Sequence, residues 1–111
     1  MNIIQYKEQA KLIRDNETYK VYDLITLKDL NLSLTELNSR KETGGHSHQE
    51  ADEIYIFIEG NGSMEIGEEK IQIKGGDVVA VPGGKFHKVF NEGDKILSFW
   101  SVFEMYEGRG R

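Results

Sequence analysis

Residues 75–91 read GGDVVAVPGGKFHKVFN, and this stretch contains the features that decide the fold of the whole chain. Two runs rich in apolar and β-branched residues, 77–82 and 85–91, meet at a Pro-Gly-Gly turn that contains the only proline in the sequence. Short runs bounded by glycine and proline are typical of strands joined by tight turns. We therefore predict two strands here, with His87 in the second.

The same rhythm continues along most of the chain. Further strands are predicted at 18–26, 32–37, 53–59, 63–67, 69–74 and 95–103, with glycine- and asparagine-rich turns between many of them. The pattern predicts one all-β domain over residues 1–111, with an N-terminal arm at 1–17, a barrel or sandwich at 18–104 and a tail at 105–111. The arm favours neither a short helix nor extended chain.

Strand 53–59 differs from its neighbours because both of its faces are apolar. Isoleucines and aromatic residues alternate in the order Ile54, Tyr55, Ile56, Phe57 and Ile58. We predict that one face fills the interior and that the other packs under a further layer or a partner subunit. Segment 95–103 is also apolar on both sides, so an outer face left uncovered in one chain would favour a homodimer.

Composition excludes several classes of function. The chain has 14 Lys and Arg against 19 Asp and Glu, a net charge of −5 without a basic patch, so nucleic acid and anionic membranes are not expected partners. No run approaches the roughly 20 apolar residues that span a bilayer, and we expect a cytoplasmic protein. The absence of cysteine excludes disulfides and thiolate ligands. Any metal must be held by histidine and carboxylate.

The three histidines fall in two short stretches. His46 and His48 share one face of an extended backbone, Glu53 reaches the same side if 49–52 turns, and His87 comes from a distant strand. Three imidazoles and a carboxylate suit one Mn, Fe, Co, Ni, Cu or Zn ion and leave about two coordination positions open. The alternative is that these are ordinary surface or buried polar histidines.

The spacings of the two stretches are His46-x-His48-x4-Glu53-x6-Gly60 and Gly76-x5-Pro82-x-Gly84-x2-His87-x3-Asn91. Both resemble the two motifs of the cupin family, although Arg40 stands where the first motif usually has a glycine. The resemblance implies a double-stranded β-helix, or jelly-roll barrel. It also implies a metal site that consists of His46, His48, Glu53 and His87, with Asn91 as a turn residue.

Strand parity also suggests which other residues face such a metal. Tyr55 follows Glu53 inward, where its hydroxyl could orient a substrate or its ring could simply pack in the core. Lys85 is either a clamp for a phosphate or carboxylate or a solvated cation. Glu50 and Asp52 are either solvated or a general base. The preceding strand lines the cavity with Leu32 and Leu34 or with Ser33 and Thr35.

The predicted function is a small metalloenzyme that acts on a small polar metabolite such as a sugar or sugar phosphate. In an isomerase of this type, the open metal positions chelate a hydroxy-carbonyl group and stabilise its enediolate, with Glu53 and Tyr55 as candidate catalytic residues. One alternative is an iron-dependent dioxygenase, and another is a non-catalytic module that binds a small molecule or sugar. A homodimer is expected in each case.

Overall fold

The computed structural model describes residues 1–45 and 51–104 of the chain. Its elements, in chain order, are α1 (Ile3–Gln9), β1 (Lys11–Asp15), β2 (Tyr19–Thr26), β3 (Leu30–Leu37), β4 (Glu53–Glu59), β5 (Asn61–Ile66), β6 (Glu69–Lys74), β7 (Val78–Val81), β8 (His87–Asn91) and β9 (Leu97–Glu104). The predicted strands are therefore present, with bounds that differ by up to two residues at either end. The N-terminal arm contains a helix followed by a strand.

The strands form two antiparallel sheets. One sheet has six strands in the order β1-β2-β3-β9-β4-β7, and the other has three in the order β6-β5-β8. The predicted tight turns at Gly60, Gly76 and Gly84 adopt φ values of 98°, 98° and 89°, a region that glycine occupies without a steric penalty. These turns let short strands fold back between the two sheets.

The hydrophobic core lies between the inner faces of the sheets. Its buried members from both sheets are Leu37, Tyr55, Phe57, Met64, Ile73, Val79, Val81, Val89, Leu97 and Phe99. On β4 and β9 these are alternate residues, as expected for strands with one face turned inward. Burial of this set is the main source of stability in a domain of this size.

Helix α1 packs beside β2. Asn2 caps the helix, since its side chain accepts a hydrogen bond from the Gln5 backbone amide. The Gln5 side chain in turn accepts a hydrogen bond from the Asn2 backbone amide. Lys7 anchors the helix to the sheet, with Nζ 2.9 Å from the Glu36 carboxylate and 5.3 Å from the centroid of the Tyr22 ring. Among the described residues, no helix is long and apolar enough to cross a membrane.

The prediction that a further layer of the same chain covers the outer face of β4 is wrong for the described residues, and cover by a partner subunit stays a prediction. Tyr55 and Phe57 are buried, but Ile54 and Ile58 on the opposite face are 44% and 43% exposed. The reason is that α1 packs against β2, at the other side of the six-stranded sheet from β4. The alternation identifies both faces as apolar, but it does not determine whether a second layer covers them.

Asn91 and Arg40 close the end of the sandwich that lies away from the start of β4. Asn91 is buried and joins three backbone segments: its amide donates to the Leu37 and Lys95 carbonyls and its oxygen accepts from the Gly93 amide. This agrees with its predicted role as a turn residue. Arg40 has a φ of 63°, and its guanidinium donates to the Glu92 carbonyl and the Asp94 carboxylate.

Candidate metal centre

Glu53 and His87 meet at the open end of the sandwich. Glu53 is the first residue of β4, and His87 is the first residue of β8. The two strands therefore begin at the same end of the sandwich. Glu53 Oε1 lies 3.5 Å from His87 Nε2, and the two side chains are 2% and 3% exposed. A carboxylate and an imidazole buried so close together indicate a polar site rather than ordinary core packing.

The backbone beside His87 fixes which ring nitrogen faces the carboxylate. Nδ1 lies 3.0 Å from the Lys85 carbonyl, which can only accept a hydrogen bond, so Nδ1 carries the proton and donates it. Nε2 is therefore the ring nitrogen that faces Glu53. Tyr55 holds the ring from one side in an edge contact, with centroids 5.8 Å apart and planes inclined at 75°.

Glu53 and Tyr55 also line a cavity of about 250 Å³. The remaining lining residues are Ile13, Arg14, Tyr19, Val21, Ser33, Thr35, Thr43, Gly44, Phe99, Ser101 and Phe103. Hydroxyl groups and aromatic rings therefore dominate the wall. This combination suits a small ligand that has both apolar surface and several oxygen atoms.

The cavity decides between two alternatives that the sequence leaves open. Ser33 and Thr35, rather than Leu32 and Leu34, line the cavity. Phe57 also faces inward but belongs to the core and does not line the cavity. Lys85 has an exposed position and is absent from the cavity lining, so the structure favours a solvated cation there.

Asp52 acts as a local brace. Its carboxylate accepts a hydrogen bond of 2.8 Å from the Gly83 amide, and its own amide donates to the Glu104 carboxylate. It therefore ties the start of β4 to the turn that precedes His87. This contact helps to position the two site residues, and the sequence reading of Asp52 as solvated or as a base did not anticipate it.

His46, His48 and Glu50 lie outside the described residues. On either side of them, the described chain contacts the segment that leads into β8: a Cβ atom at Gly45 would clash with the ring of Phe86, and the Asp52 carboxylate accepts a hydrogen bond from the Gly83 amide. The four-residue ligand set stays a prediction, of which the structure brings Glu53 and His87 together.

The described donors fit a divalent transition metal. Two ligands about 2.1 Å from a shared ion lie about 3–3.5 Å apart when the angle between them is roughly 90–110°, and the distance between Nε2 and Oε1 is 3.5 Å. Nitrogen and oxygen donors are the set that such ions accept. Within residues 1–45 and 51–104, no group of three or more His, Cys, Asp or Glu side chains could hold a metal ion, which leaves Glu53 and His87 as two of the predicted four.

Sequence reasoning missed Arg14 at the cavity wall. Arg14 lies on β1, and strand alternation from Leu12, opposite Tyr22, would place it on the outer face. A shift in register between Leu12 and Arg14 places Arg14 opposite Val21, which also lines the cavity. A β-bulge leaves no clear sequence signature, so no pattern in the chain could have revealed this side chain in advance.

Comparison with known proteins agrees with this geometry. The family model described as "Cupin domain" matches residues 33–103, more than half of the chain. The chain belongs to the cupin family. Its two sheets are the cupin jelly roll that the motif spacing predicts, and the cupin fold supports a metal-binding function.

Individual relatives support the fold more strongly than any one activity. An uncharacterised protein of Methanocaldococcus jannaschii is 39% identical over 52 residues, 47% of this cupin and 42% of the relative. The acireductone dioxygenase of Leishmania major is 25% identical over 92 residues, 78% of this cupin and 27% of the enzyme. This cupin therefore matches less than half the length of either relative.

A solved structure resembles nearly the whole chain. The crystal structure of a predicted oxalate decarboxylase from Thermotoga maritima has a TM-score of 0.80 and 22% identity, and the match covers 90% of this cupin and 96% of that chain. At this level of identity the likeness concerns the fold alone. The same barrel supports many chemistries, so the site must decide the function.

Proposed function

We propose that this cupin is a metalloenzyme that binds one divalent transition metal and acts on a small polar metabolite by proton transfer between adjacent carbons. The observation that carries the proposal is the buried pair of Glu53 and His87, 3.5 Å apart. The Glu53 carboxylate also lines a cavity of about 250 Å³, large enough for a small metabolite.

Each residue of the proposed site would have a separate role. Glu53 and His87, together with His46 and His48, hold the metal, which when bound supplies a Lewis acid for a substrate carbonyl. Tyr55 orients a substrate oxygen from the cavity wall. Since the Asp52 carboxylate is held by Gly83, Glu53 is the better-placed carboxylate to accept a proton from substrate, at Oε2.

Elemental analysis of protein purified without a chelator tests the metal site. We expect about one transition-metal ion per chain, and expect His48→Ala and Glu53→Gln to lose most of it. Glu59→Gln is the matched control, because Glu59 is an exposed glutamate at the other end of the same strand. Equal metal content in wild type, His48→Ala and Glu53→Gln would contradict the proposal.

An iron-dependent dioxygenase is the second candidate. The specific observation in its favour is the match to the Leishmania major acireductone dioxygenase, which extends over 78% of this chain. Iron as the resident metal and oxygen consumption with substrate would favour this candidate. Manganese, zinc or nickel with aldose–ketose exchange would favour the isomerase, and saturable binding without turnover would contradict both.

We further propose that two copies pair through the outer face of the six-stranded sheet. In register across β3, β9, β4 and β7, the outer side chains form two apolar rows: Trp100, Ile56 and Val78, next to Leu34, which is already buried within the chain, and Leu32, Val102, Ile54 and Ala80. These rows contain no charge, so a two-fold axis would bring no like charges together. Val78 is 65% exposed in the single chain.

Sedimentation at micromolar concentration tests the dimer. We expect a dimer for the wild type and a monomer for Val78→Asp, because the new charge would be buried against its copy. Ile4→Asp is the control, since Ile4 is equally exposed but lies on α1. A monomeric wild type would overturn this assembly.

A further inference from the structure

We propose that the substrate is a small organic acid and that Arg14 binds its carboxylate at the wall of the cavity. This inference rests on the proposed function, because it names the ligand class of the same site. Arg14 is then a specificity residue that contacts the substrate at a distance from the metal ligands. The evidence is the register of β1, the composition of the cavity wall and the geometry of the guanidinium group.

The β-bulge in β1 directs Arg14 inward. Leu12 is paired with Tyr22 on the outer face, whereas Arg14 is paired with Val21, so the intervening Ile13 is the extra residue. Ile13 and Arg14 both line the cavity as a result.

The guanidinium of Arg14 is available for a ligand. The salt bridges made by lysine and arginine in residues 1–45 and 51–104 involve Lys7, Arg40, Lys74 and Lys88, and none involves Arg14. The residue is exposed to solvent while it lines the cavity, so a ligand that enters passes beside it. A planar guanidinium can donate two parallel hydrogen bonds to a carboxylate.

The geometry of a guanidinium favours a carboxylate over a phosphate ester. Arg14 is the only lysine or arginine among the described lining residues. Its paired N–H donors match the two oxygens of one carboxylate, whereas a phosphate monoester presents three strong acceptor oxygens to a wall with one such cation. The hydroxyls of Ser33, Thr35 and Ser101 suit the alcohol or carbonyl oxygens of such an acid.

Calorimetric binding of matched ligands tests the proposal. The probes are glycerate and gluconate, their neutral counterparts glycerol and glucitol, and glycerol 3-phosphate, each measured with the protein as purified and after chelator treatment. We expect at least one acid to bind the wild type more tightly than its neutral counterpart and more tightly than the phosphate. Arg14→Gln should weaken the binding of that acid by about tenfold and leave the binding of the neutral counterpart unchanged.

Two further variants exclude an indirect effect. Lys20→Gln removes the same charge from the neighbouring strand β2 on the opposite face of the sheet and should change nothing. Arg14→Lys should restore part of the acid binding, because it keeps the charge but loses the two-pronged geometry.

Three results would overturn the assignment: no acid preference in the wild type, an acid preference that survives Arg14→Gln, or tighter binding of the phosphate. The metal content of the same samples is measured separately. A chain without metal would contradict the proposed function, whereas a metal-loaded chain that shows no acid preference would contradict the role of Arg14 alone.

Discussion

The two ends of the sandwich are built from the same strands but filled in opposite ways. At the closed end, β3, β4 and β9 contribute Leu37, Phe57 and Leu97, which are almost completely buried. At the open end, β4 begins with Glu53 and β9 contributes Ser101 to the wall of a cavity. One end is packed with hydrocarbon, and the other keeps polar groups around a space.

This difference shows how a chain of 111 residues can combine stability with a binding site. A domain of this size has little stability to spare. Buried apolar area at the closed end supports strands whose other end leaves space for a ligand. We therefore expect substitutions at the closed end to change stability and substitutions at the open end to change binding.

The largest expected effect is at the closed end. Phe57→Ala removes a ring that is 1% exposed and packs on Phe99 with centroids 5.3 Å apart, so we expect it to lower the free energy of unfolding by about 3–5 kcal/mol. Ser101→Ala at the open end should change it by less than about 1 kcal/mol. Urea unfolding measures both, and equal losses would remove the distinction between the ends.

Asn91 tests whether polar groups also stabilise the closed end. Asn91→Ala leaves the Leu37 and Lys95 carbonyls and the Gly93 amide without their partner, and we expect a loss of about 2–3 kcal/mol in the same assay. Asn38→Ala is the control, because the Asn38 side chain makes one exposed hydrogen bond, to the Glu17 carbonyl. Similar losses for the two variants would show that the Asn91 hydrogen bonds contribute little.

Arg40 gives a smaller effect that depends on the backbone. Its φ of 63° is unfavourable for any residue except glycine. Arg40→Gly relieves this strain while losing the bonds to Glu92 and Asp94, and Arg40→Ala loses those bonds with no relief. We expect the glycine variant to be more stable than the alanine variant by about 1 kcal/mol in thermal unfolding. The reverse order would contradict a strained backbone.

Lys7 lies at neither end of the sandwich, and its substitution should have the smallest effect on stability. The hydrogen bond to the Glu36 carboxylate raises the pKa of Lys7 above its ordinary value of 10.5. The stabilisation is therefore fully present below pH 10.5 and is lost as pH rises through the raised pKa of the folded protein. Because Lys7 is 41% exposed, we expect Lys7→Met to cost less than about 1 kcal/mol at pH 8.

Unfolding at pH 8 and at pH 11.5 checks this expectation. The difference in the free energy of unfolding between the wild type and Lys7→Met should be smaller at the higher pH. A difference that grows with pH would mean that the charge of Lys7 does not stabilise the attachment of α1.

Much of the fold and part of the site are predictable from the sequence. Alternation locates the strands, the turns at Gly60, Gly76 and Gly84 follow from residue type, and the motif spacing brings Glu53 and His87 together. These features are local, or they repeat a pattern with fixed distances. The sequence is therefore sufficient to predict them.

The remaining features of the fold and the site depend on tertiary contacts, which the local sequence pattern does not determine. The exposure of Ile54 depends on which strands α1 covers, and the role of Asp52 depends on a turn that is distant in sequence. Arg14 reaches the cavity because β1 shifts register by one residue, which strict alternation excludes. Such features follow from tertiary packing, and a single sequence carries little information about them.

The extra residue in β1 also has a consequence for how this barrel can diverge. At one point an edge strand offers two consecutive side chains, Ile13 and Arg14, to the interior, and this strand has β2 as its neighbour in the sheet. Changes at these two adjacent codons would disturb a single ladder of backbone hydrogen bonds and leave the packed core intact. Descendants of such a chain can therefore come to bind new ligands through changes in the outermost strand, without any change in the predicted metal ligands.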